Sequence, residues 1–274
     1  MNLSVTTLVL AGSRPGPDPL LANTDLPTKA LLPILGKPML AWVLDALITT
    51  PQIGRVIVVS QDTEPLKADP AIAGLAGVEW RESKGGIADA VRSAVKDIDG
   101  PLFVTTADNV LLTSQMIEQF LHESAATDVA VGLVERKRVA AAGHSTQRTW
   151  LTFRGGRWSG ANLFLLGGKQ VGPLLDFWQN IEQDRKKGWK IVGAFGPFLL
   201  VATLLRLLDI HSFARRVAMR FGLSAKVVSM NAAEACIDAD KPADIPVIEA
   251  NLEKRQAEAK AASTARSASR NSSS

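Results

Sequence analysis

Val5-Thr6-Thr7-Leu8-Val9-Leu10-Ala11-Gly12-Ser13-Arg14-Pro15-Gly16 sets a short apolar run directly against a glycine-bearing turn. The six residues Val5–Leu10 suit a buried strand, and glycine at its carboxyl end lets the chain turn with its backbone amides presented outward. In open α/β sheets ligands bind there, just beyond the carboxyl ends of parallel strands. Taken alone, the turn leaves two readings open: amides facing phosphate oxygens, or a tight strand–helix joint with no ligand. Neither G-x-x-x-x-G-K-[ST] nor G-x-G-x-x-G stands here, so a Walker-type ATPase and a dinucleotide site are both unsupported.

Working outward, Val56–Ser60, Leu102–Thr106 and Val129–Val134 repeat the buried-strand pattern. Pro38–Ile48, Gly86–Val95 and Thr113–His122 carry apolar residues at helical spacing between them, with Thr113 as a helix start. The alternation predicts an α/β fold: a single Rossmann-like, mixed but mostly parallel sheet with helices on both faces. Beyond Val134 the pattern changes. Trp150–Phe153 and Ala161–Leu166, separated by the turn Arg154–Trp158, suggest a hairpin or a mixed-sheet insertion. The stretch from Gly168 to Gly222 reads as helical, Lys226–Met230 as a strand, and a last helix follows Pro242.

At 274 residues and 46% hydrophobic, the chain has material for one large core. The expected organisation is one domain over residues 1–252, with a nucleotide-binding half (1–134) and an acceptor-binding half (135–252) that includes a helical insertion at about 168–222. Residues 253–274, rich in Ala, Ser and Arg without an apolar period, are expected to be a disordered tail. That tail holds five cations against Glu253 and Glu258, so most of the net charge of +4 sits there. The rest is nearly neutral and shows no basic stripe with interleaved aromatics, which argues against a nucleic-acid partner. The lone Cys236 and the absence of a signal-peptide pattern make the cytoplasm the expected compartment.

Three further features carry chemistry. Lys29, in Leu26-Pro27-Thr28-Lys29-Ala30-Leu31, and Lys37, in Gly36-Lys37-Pro38-Met39-Leu40, are candidates to neutralise triphosphate charge, and Lys29 is preferred. Asp108, in Ala107-Asp108-Asn109, stands at the carboxyl tip of a central strand, where it suits a Mg2+ ligand. Its other reading is a cap for the helix near Thr113. The segment Cys236-Ile237-Asp238-Ala239-Asp240-Lys241-Pro242-Ala243-Asp244 brings more carboxylates, with Pro242 near a helix start and Asp244 suited to the first turn.

Leu-Ala-Gly, a Gly/Arg loop, Leu-Pro-x-Lys and Gly-Lys-Pro-Met-Leu, in that order, resemble the opening of the molybdenum-cofactor and sugar-phosphate nucleotidyltransferases. The resemblance implies the nucleotide-diphospho-sugar transferase fold, which is glycosyltransferase-A-like, and a Mg2+-dependent transfer of a nucleoside monophosphate from a nucleoside triphosphate to a phosphorylated acceptor. It implies that Leu10, Ala11, Gly12, Ser13, Arg14, Gly16 and Lys29 hold the triphosphate. It implies that Ser83, Gly85 and Gly86 lie against the base, while the residues themselves read equally as a plain helix N-terminus. Asp240 becomes the second metal ligand beside Asp108, with Asp238 in support, and Asn162 an acceptor contact. The glycine loop departs from the family pattern: it reads Gly-Ser-Arg-Pro-Gly-Pro-Asp-Pro and is longer before its lysine, with three prolines that stiffen it.

The acceptor expected is a phosphorylated small molecule or a lipid-linked one. The apolar run Phe195–Leu208, followed by His211, Arg215, Arg216 and Arg220, is too short to span a bilayer. It suits a core or homodimer helix, and it also permits peripheral contact with the inner face of a membrane. Asp184-Arg185-Lys186-Lys187, Arg154 and Arg157 read first as solvated charges, and His122, His144 and His211, far apart in sequence, as structural or surface residues. Two competing functions remain at this stage: a glycosyltransferase of the same fold consuming a nucleotide sugar, and a non-catalytic nucleotide-binding or membrane-docking module.

Overall fold

The computed structural model describes residues 4–13, 16–144, 148–183 and 206–271. Its strands are β1 (Val5–Leu10), β2 (Pro33–Ile34), β3 (Lys37–Pro38), β4 (Ile53–Ser60), β5 (Val78–Glu82), β6 (Leu102–Thr106), β7 (Val129–Glu135), β8 (Leu151–Phe153), β9 (Gly156–Leu166) and β10 (Ala225–Ser229). The helices are α1 (Met39–Ile48), α2 (Glu64–Ala68), α3 (Pro70–Ala73), α4 (Ile87–Asp97), α5 (Ser114–Ser124), α6 (Arg136–Ala141), α7 (Gly172–Gln183), α8 (Ile210–Met219) and α9 (Asp244–Asn271).

Eight strands form one sheet in the order β10-β7-β9-β6-β1-β4-β5, with β8 paired to β9. Strand β1 lies inside it, parallel to β4 on one side and to β6 on the other. Among the described strands of this sheet β9 alone runs against the others, lying antiparallel between β6 and β7 and antiparallel to β8. The hairpin is thus at the same time the mixed-sheet insertion that the sequence allowed. Its second strand starts earlier than the apolar pattern suggests, at Gly156.

Alternation along the strands feeds two cores. Val9, Val56, Val58 and Phe103 face the layer formed by α1 and α5, where Leu40, Leu44, Ile117 and Phe120 are buried. Their neighbours Leu8, Ile57, Val59, Leu102 and Val104 face the opposite layer, packed with Val91 and Val95 of α4 and Leu175 of α7. Each such side chain, fully buried, stabilises the fold by on the order of 1.5–3 kcal/mol. Helices thus cover both faces because the strand period of two puts apolar groups on both. Thr113 caps α5 through its hydroxyl, which accepts from the Met116 N–H, so capping there is done without Asp108.

A third apolar cluster joins Leu20, Ile34, Met39, Val110, Leu111, Ile237, Ala239, Ile248 and Leu252. It packs the first turns of α9 beneath both aspartate-bearing loops. The helix does not stop at residue 252: it continues to Asn271, where composition suggested a disordered tail. Arg255 reaches back to the Leu111 carbonyl (2.8 Å) and to Glu234 (3.3 Å), and elongating an anchored helix through Ala, Glu, Lys and Arg needs no new nucleus. Residues 184–205, which include Asp184-Arg185-Lys186-Lys187 and most of Phe195–Leu208, lie outside the described residues, as do Arg14 and Pro15. No described helix is long and apolar enough to cross a membrane.

Candidate active site

Because β1, β4, β5 and β6 are parallel, their carboxyl ends open on one edge of the sheet. The turn after β1 is tied to the turn after β4 by a two-way amide clasp. The Ser13 N–H donates to Gln61 Oε1 (2.9 Å), and Gln61 Nε2 donates to the Ser13 carbonyl (2.8 Å). Gly12 leaves room for this clasp: a Cβ there would lie 2.8 Å from Gln61 Oε1 and would push the Gln61 amide aside. Gly16, exposed, takes a φ of +110°, which favours glycine. After β5, the Ser83 N–H donates to the Ser60 carbonyl at 2.9 Å, Gly85 is crowded by Asp89, and the Gly86 N–H donates to Asp89 Oδ2 at 3.2 Å as α4 begins.

Lys29 stands on a single 3-10 turn, Lys29–Leu31, whose cap Thr28 accepts from the Ala30 N–H. The Thr28 hydroxyl also lies 3.5 Å from the Ser13 hydroxyl, so the lysine turn is pinned to the glycine turn. Lys37 takes another course. Its ammonium pairs with Asp45 and lies over the Trp42 ring, 4.6 Å from the centroid, which commits it to α1.

The Lys29 ammonium donates to Asp108 Oδ2 at 2.6 Å, to the Ala239 carbonyl at 3.4 Å and to Asp240 Oδ1 at 3.5 Å. Burial acts to lower its pKa, but the Asp108 charge and hydrogen bond, with Asp240 and Asp18 behind them, outweigh that and hold it above its ordinary value. Lys29 is therefore a permanent cation at neutral pH. Asp108 sits where the chain leaves β6: the Ala107 N–H donates to the Leu10 carbonyl at 3.0 Å, and the Thr106 hydroxyl donates to Asp108 Oδ1. The Ala239 N–H donates to the Asp108 carbonyl at 3.0 Å, so a main-chain bond joins two loops more than a hundred residues apart.

Carboxylate oxygens of Asp108, Asp238 and Asp240 all lie within 4.8 Å of one another, an arrangement able to hold a metal ion. Asp238 comes nearer than a residue in mere support, but its carboxylate is engaged: Arg148 Nη1 pairs with Oδ1, and Asn162 Nδ2 donates to Oδ2 at 2.8 Å. Asn162 holds a left-handed backbone (φ +53°), which asparagine tolerates better than most residues. It falls where the β7–β9 register shifts between Val131 and Leu133, and Asn109 steadies the spot by donating to the Ala161 carbonyl at 3.1 Å. The carboxylate of Asp244 accepts from the N–H groups of Asp240 (3.2 Å) and Lys241 (2.9 Å) instead of capping its own helix. Cys236 is buried nearby, and burial pushes its thiol up to about 11, which leaves it protonated.

Sequence reasoning named Lys29, Asp108, Asp240 and Asn162, and all four meet here; Arg14 lies outside the described residues. It missed Gln61 and Arg148. No local pattern marks either residue, since each acts on a partner more than forty positions away.

A mostly parallel sheet with a lysine and clustered aspartates on the edge where its parallel strands end has the fold of the nucleotide-diphospho-sugar transferase type. The MobA-like NTP transferase domain matches residues 9–191, and the chain belongs to that family, whose members are nucleotidyltransferases. Two curated proteins of Thermus thermophilus, both named bifunctional protein GlmU, are 35% identical over 97 residues, which is 34% of this chain. The match spans only 21% of their length. Among solved structures, a hypothetical transferase from Thermus thermophilus is similar with a TM-score of 0.74 and 23% identity, covering 89% of this chain and 100% of that one. A CMP:2-keto-3-deoxy-manno-octonic acid synthetase complexed with CTP has a TM-score of 0.57 and 15% identity, covering 92% and 100% of the two chains. A 4-diphosphocytidyl-2C-methyl-D-erythritol synthase from Anaerococcus prevotii has 0.58 and 10%, covering 92% and 97%. At these identities the likeness is one of fold.

Proposed function

We propose that this protein transfers a nucleoside monophosphate from a nucleoside triphosphate to a phosphorylated acceptor and releases pyrophosphate, with Mg2+ held by Asp108 and Asp240. The observation that carries this reading is the Lys29 ammonium lying against both carboxylates beside the glycine turn. A positive charge already stands where the two anions call for one. The same contacts suit a metal, because carboxylate oxygens from two loops converge with a main-chain carbonyl into the oxygen-only donor set that Mg2+ favours. Bound there, Mg2+ would offset charge on the α- and β-phosphates.

The chain's own groups do the rest. The turn from Leu10, Ala11, Gly12 and Ser13 to Gly16, braced by Gln61, receives the triphosphate, and Lys29 turns from the carboxylates to its oxygens. Arg14 adds a second positive charge to that loop. Ser83, Gly85 and Gly86 flank the base on the neighbouring strand end. Asn162 meets the acceptor in the half of the domain formed by residues 135–252. An oxygen of the acceptor phosphate attacks the α-phosphorus in line. The bond from that phosphorus to the oxygen bridging it to the β-phosphate breaks, and pyrophosphate leaves with the electron pair. The attacking phosphate is already ionised, so no side chain has to remove a proton, and positioning with electrostatics supplies most of the rate.

The test is a pyrophosphate-release screen with Mg2+, each of the four nucleoside triphosphates, and a panel of phosphorylated sugars, polyols and lipid-linked phosphates. One pairing is expected to turn over, and Asp240→Ala is expected to remove that turnover while the protein stays folded. Full turnover in Asp240→Ala would refute the metal assignment.

A further inference from the structure

Arg148, between α6 and β8, is enclosed: its side chain is only 7% exposed. Nη1 pairs with the carboxylate of Asp238, Nη2 donates to the Asp238 main-chain carbonyl at 2.7 Å, and Nη2 stands 3.6 Å from Asp244 Oδ1. The other oxygen of Asp244 holds the N–H groups of Asp240 and Lys241. One guanidinium thus grips both Asp238 and, through Asp244, the main chain that carries Asp240.

The arrangement meets an electrostatic difficulty. Three carboxylates lie within 4.8 Å of one another, while Mg2+ bound together with a triphosphate needs only one or two of them. A third would add negative charge beside the phosphates and bind the ion when no nucleotide is present. Lys29 contacts Asp108 and Asp240 but no contact with Asp238 is found among the described residues, and the two Asp238 oxygens instead face Arg148 and Asn162.

We infer that Arg148 sets the ligand number of the cation site: it reserves Asp238 as a structural carboxylate, so that the ion is held by Asp108 and Asp240 alone. This rests on the metal-site reading above. Arg148 is a positioning residue, acting through Asp238 and Asp244 without touching nucleotide or acceptor.

The experiment measures binding of Mn2+ alone, by electron paramagnetic resonance, to the nucleotide-free full chain, with a melting curve for each variant. Arg148→Met frees Asp238 and is expected to tighten Mn2+ binding by about tenfold, the low end of what outer partners are worth to a metal site. Adding Asp238→Asn in the same chain is expected to cancel the gain, and Arg148→Lys, which keeps a cation there, to restore the original affinity. A folded Arg148→Met with unchanged or weaker Mn2+ binding overturns the inference. Asp238→Asn alone keeps the arginine and gives an independent arm: Mn2+ affinity is expected to stay within about threefold, and a tenfold loss would make Asp238 a ligand and sink the idea. Asp108→Asn separates the two levels. If it leaves Mn2+ binding intact, the metal-site reading itself is wrong; if it abolishes binding while Arg148→Met changes nothing, only the role given to Arg148 fails.

Discussion

Asp108 and Asp240 face the same ammonium, yet the molecule holds them by different means. Asp108 is 12% exposed and leaves the tip of a central strand, with its Oδ1 taking the Thr106 hydroxyl and its carbonyl taking the Ala239 N–H. Asp240 is 50% exposed, sits on the connection from a 3-10 turn to α9, and is fixed through its main chain by the Asp244 carboxylate. One carboxylate is placed by the sheet itself. The other is placed by the Asp244 carboxylate, whose bonds to the Asp240 and Lys241 N–H groups remain when Arg148 is replaced. A site built this way has a rigid jaw and a jaw that can be retuned by remote substitutions.

The sharpest way to probe the rigid jaw is Asp108→Asn. The shape is kept and the charge lost, so turnover in the pyrophosphate assay is expected to fall by about 10³-fold with little change in melting temperature. A variant retaining a tenth of the original rate would remove Asp108 from the chemistry. Lys29→Met tests the group that joins the jaws: kcat/KM for the triphosphate is expected to drop by about 10²-fold, with fold retained on circular dichroism. Asp244→Asn probes the adjustable jaw. Loosening the Asp240 main chain is expected to raise the Mg2+ concentration for half-maximal rate by about tenfold and to leave the saturating rate within a few fold. An equal loss at saturating Mg2+ would mean that Asp244 acts on more than the metal.

The smallest effect is expected at the opposite edge of the sheet, where Asp128 accepts from the Ser224 hydroxyl (2.7 Å), the Ser224 N–H (2.8 Å) and the Gln170 amide (3.1 Å), tying β7 to the segment before β10. The Ser224 side-chain bond, then its backbone bond, then Gln170 lower this carboxyl to about 2. A depressed folded value means the contribution is complete above the unfolded value of about 3.9 and disappears as the pH falls through about 2. Asp128→Asn is expected to flatten that part of the acid melting profile and leave the pyrophosphate assay unchanged at neutral pH. A profile identical to the unaltered protein between those two values would show the ties to be worth nothing.

Much of the rigid jaw was legible because it is local. A β-branched run, a glycine turn and an aspartate at a strand tip occupy consecutive positions, and the sheet converts that order directly into place. The choice of Lys29 over Lys37 is explained by Asp45 and Trp42, which hold Lys37 on α1. The adjustable jaw was half legible. Asp240 could be reached only through resemblance, and Arg148 carried no pattern, because its meaning lies in Asp238 and Asp244, some ninety residues on. The left-handed turn at Asn162 was hidden for the same reason: Asn109 and the β7 register create it from a distance. The continuation of α9 past residue 252 escaped composition because Ser and Ala in a charged stretch look alike in a tail and in the outer turns of an anchored helix.

The single main-chain bond from Ala239 to Asp108 bears on how the protein is made. The glycine turn, Lys29 and Asp108 all belong to the early part of the chain, but the partner loop follows β10, the outermost strand of the sheet. In a chain emerging from the ribosome, the turn proposed to receive the triphosphate is therefore complete before Asp240, the proposed second metal ligand, is made. Under the proposed mechanism the site is complete only once the late segment docks, so a nascent chain lacking that segment is expected to be inactive.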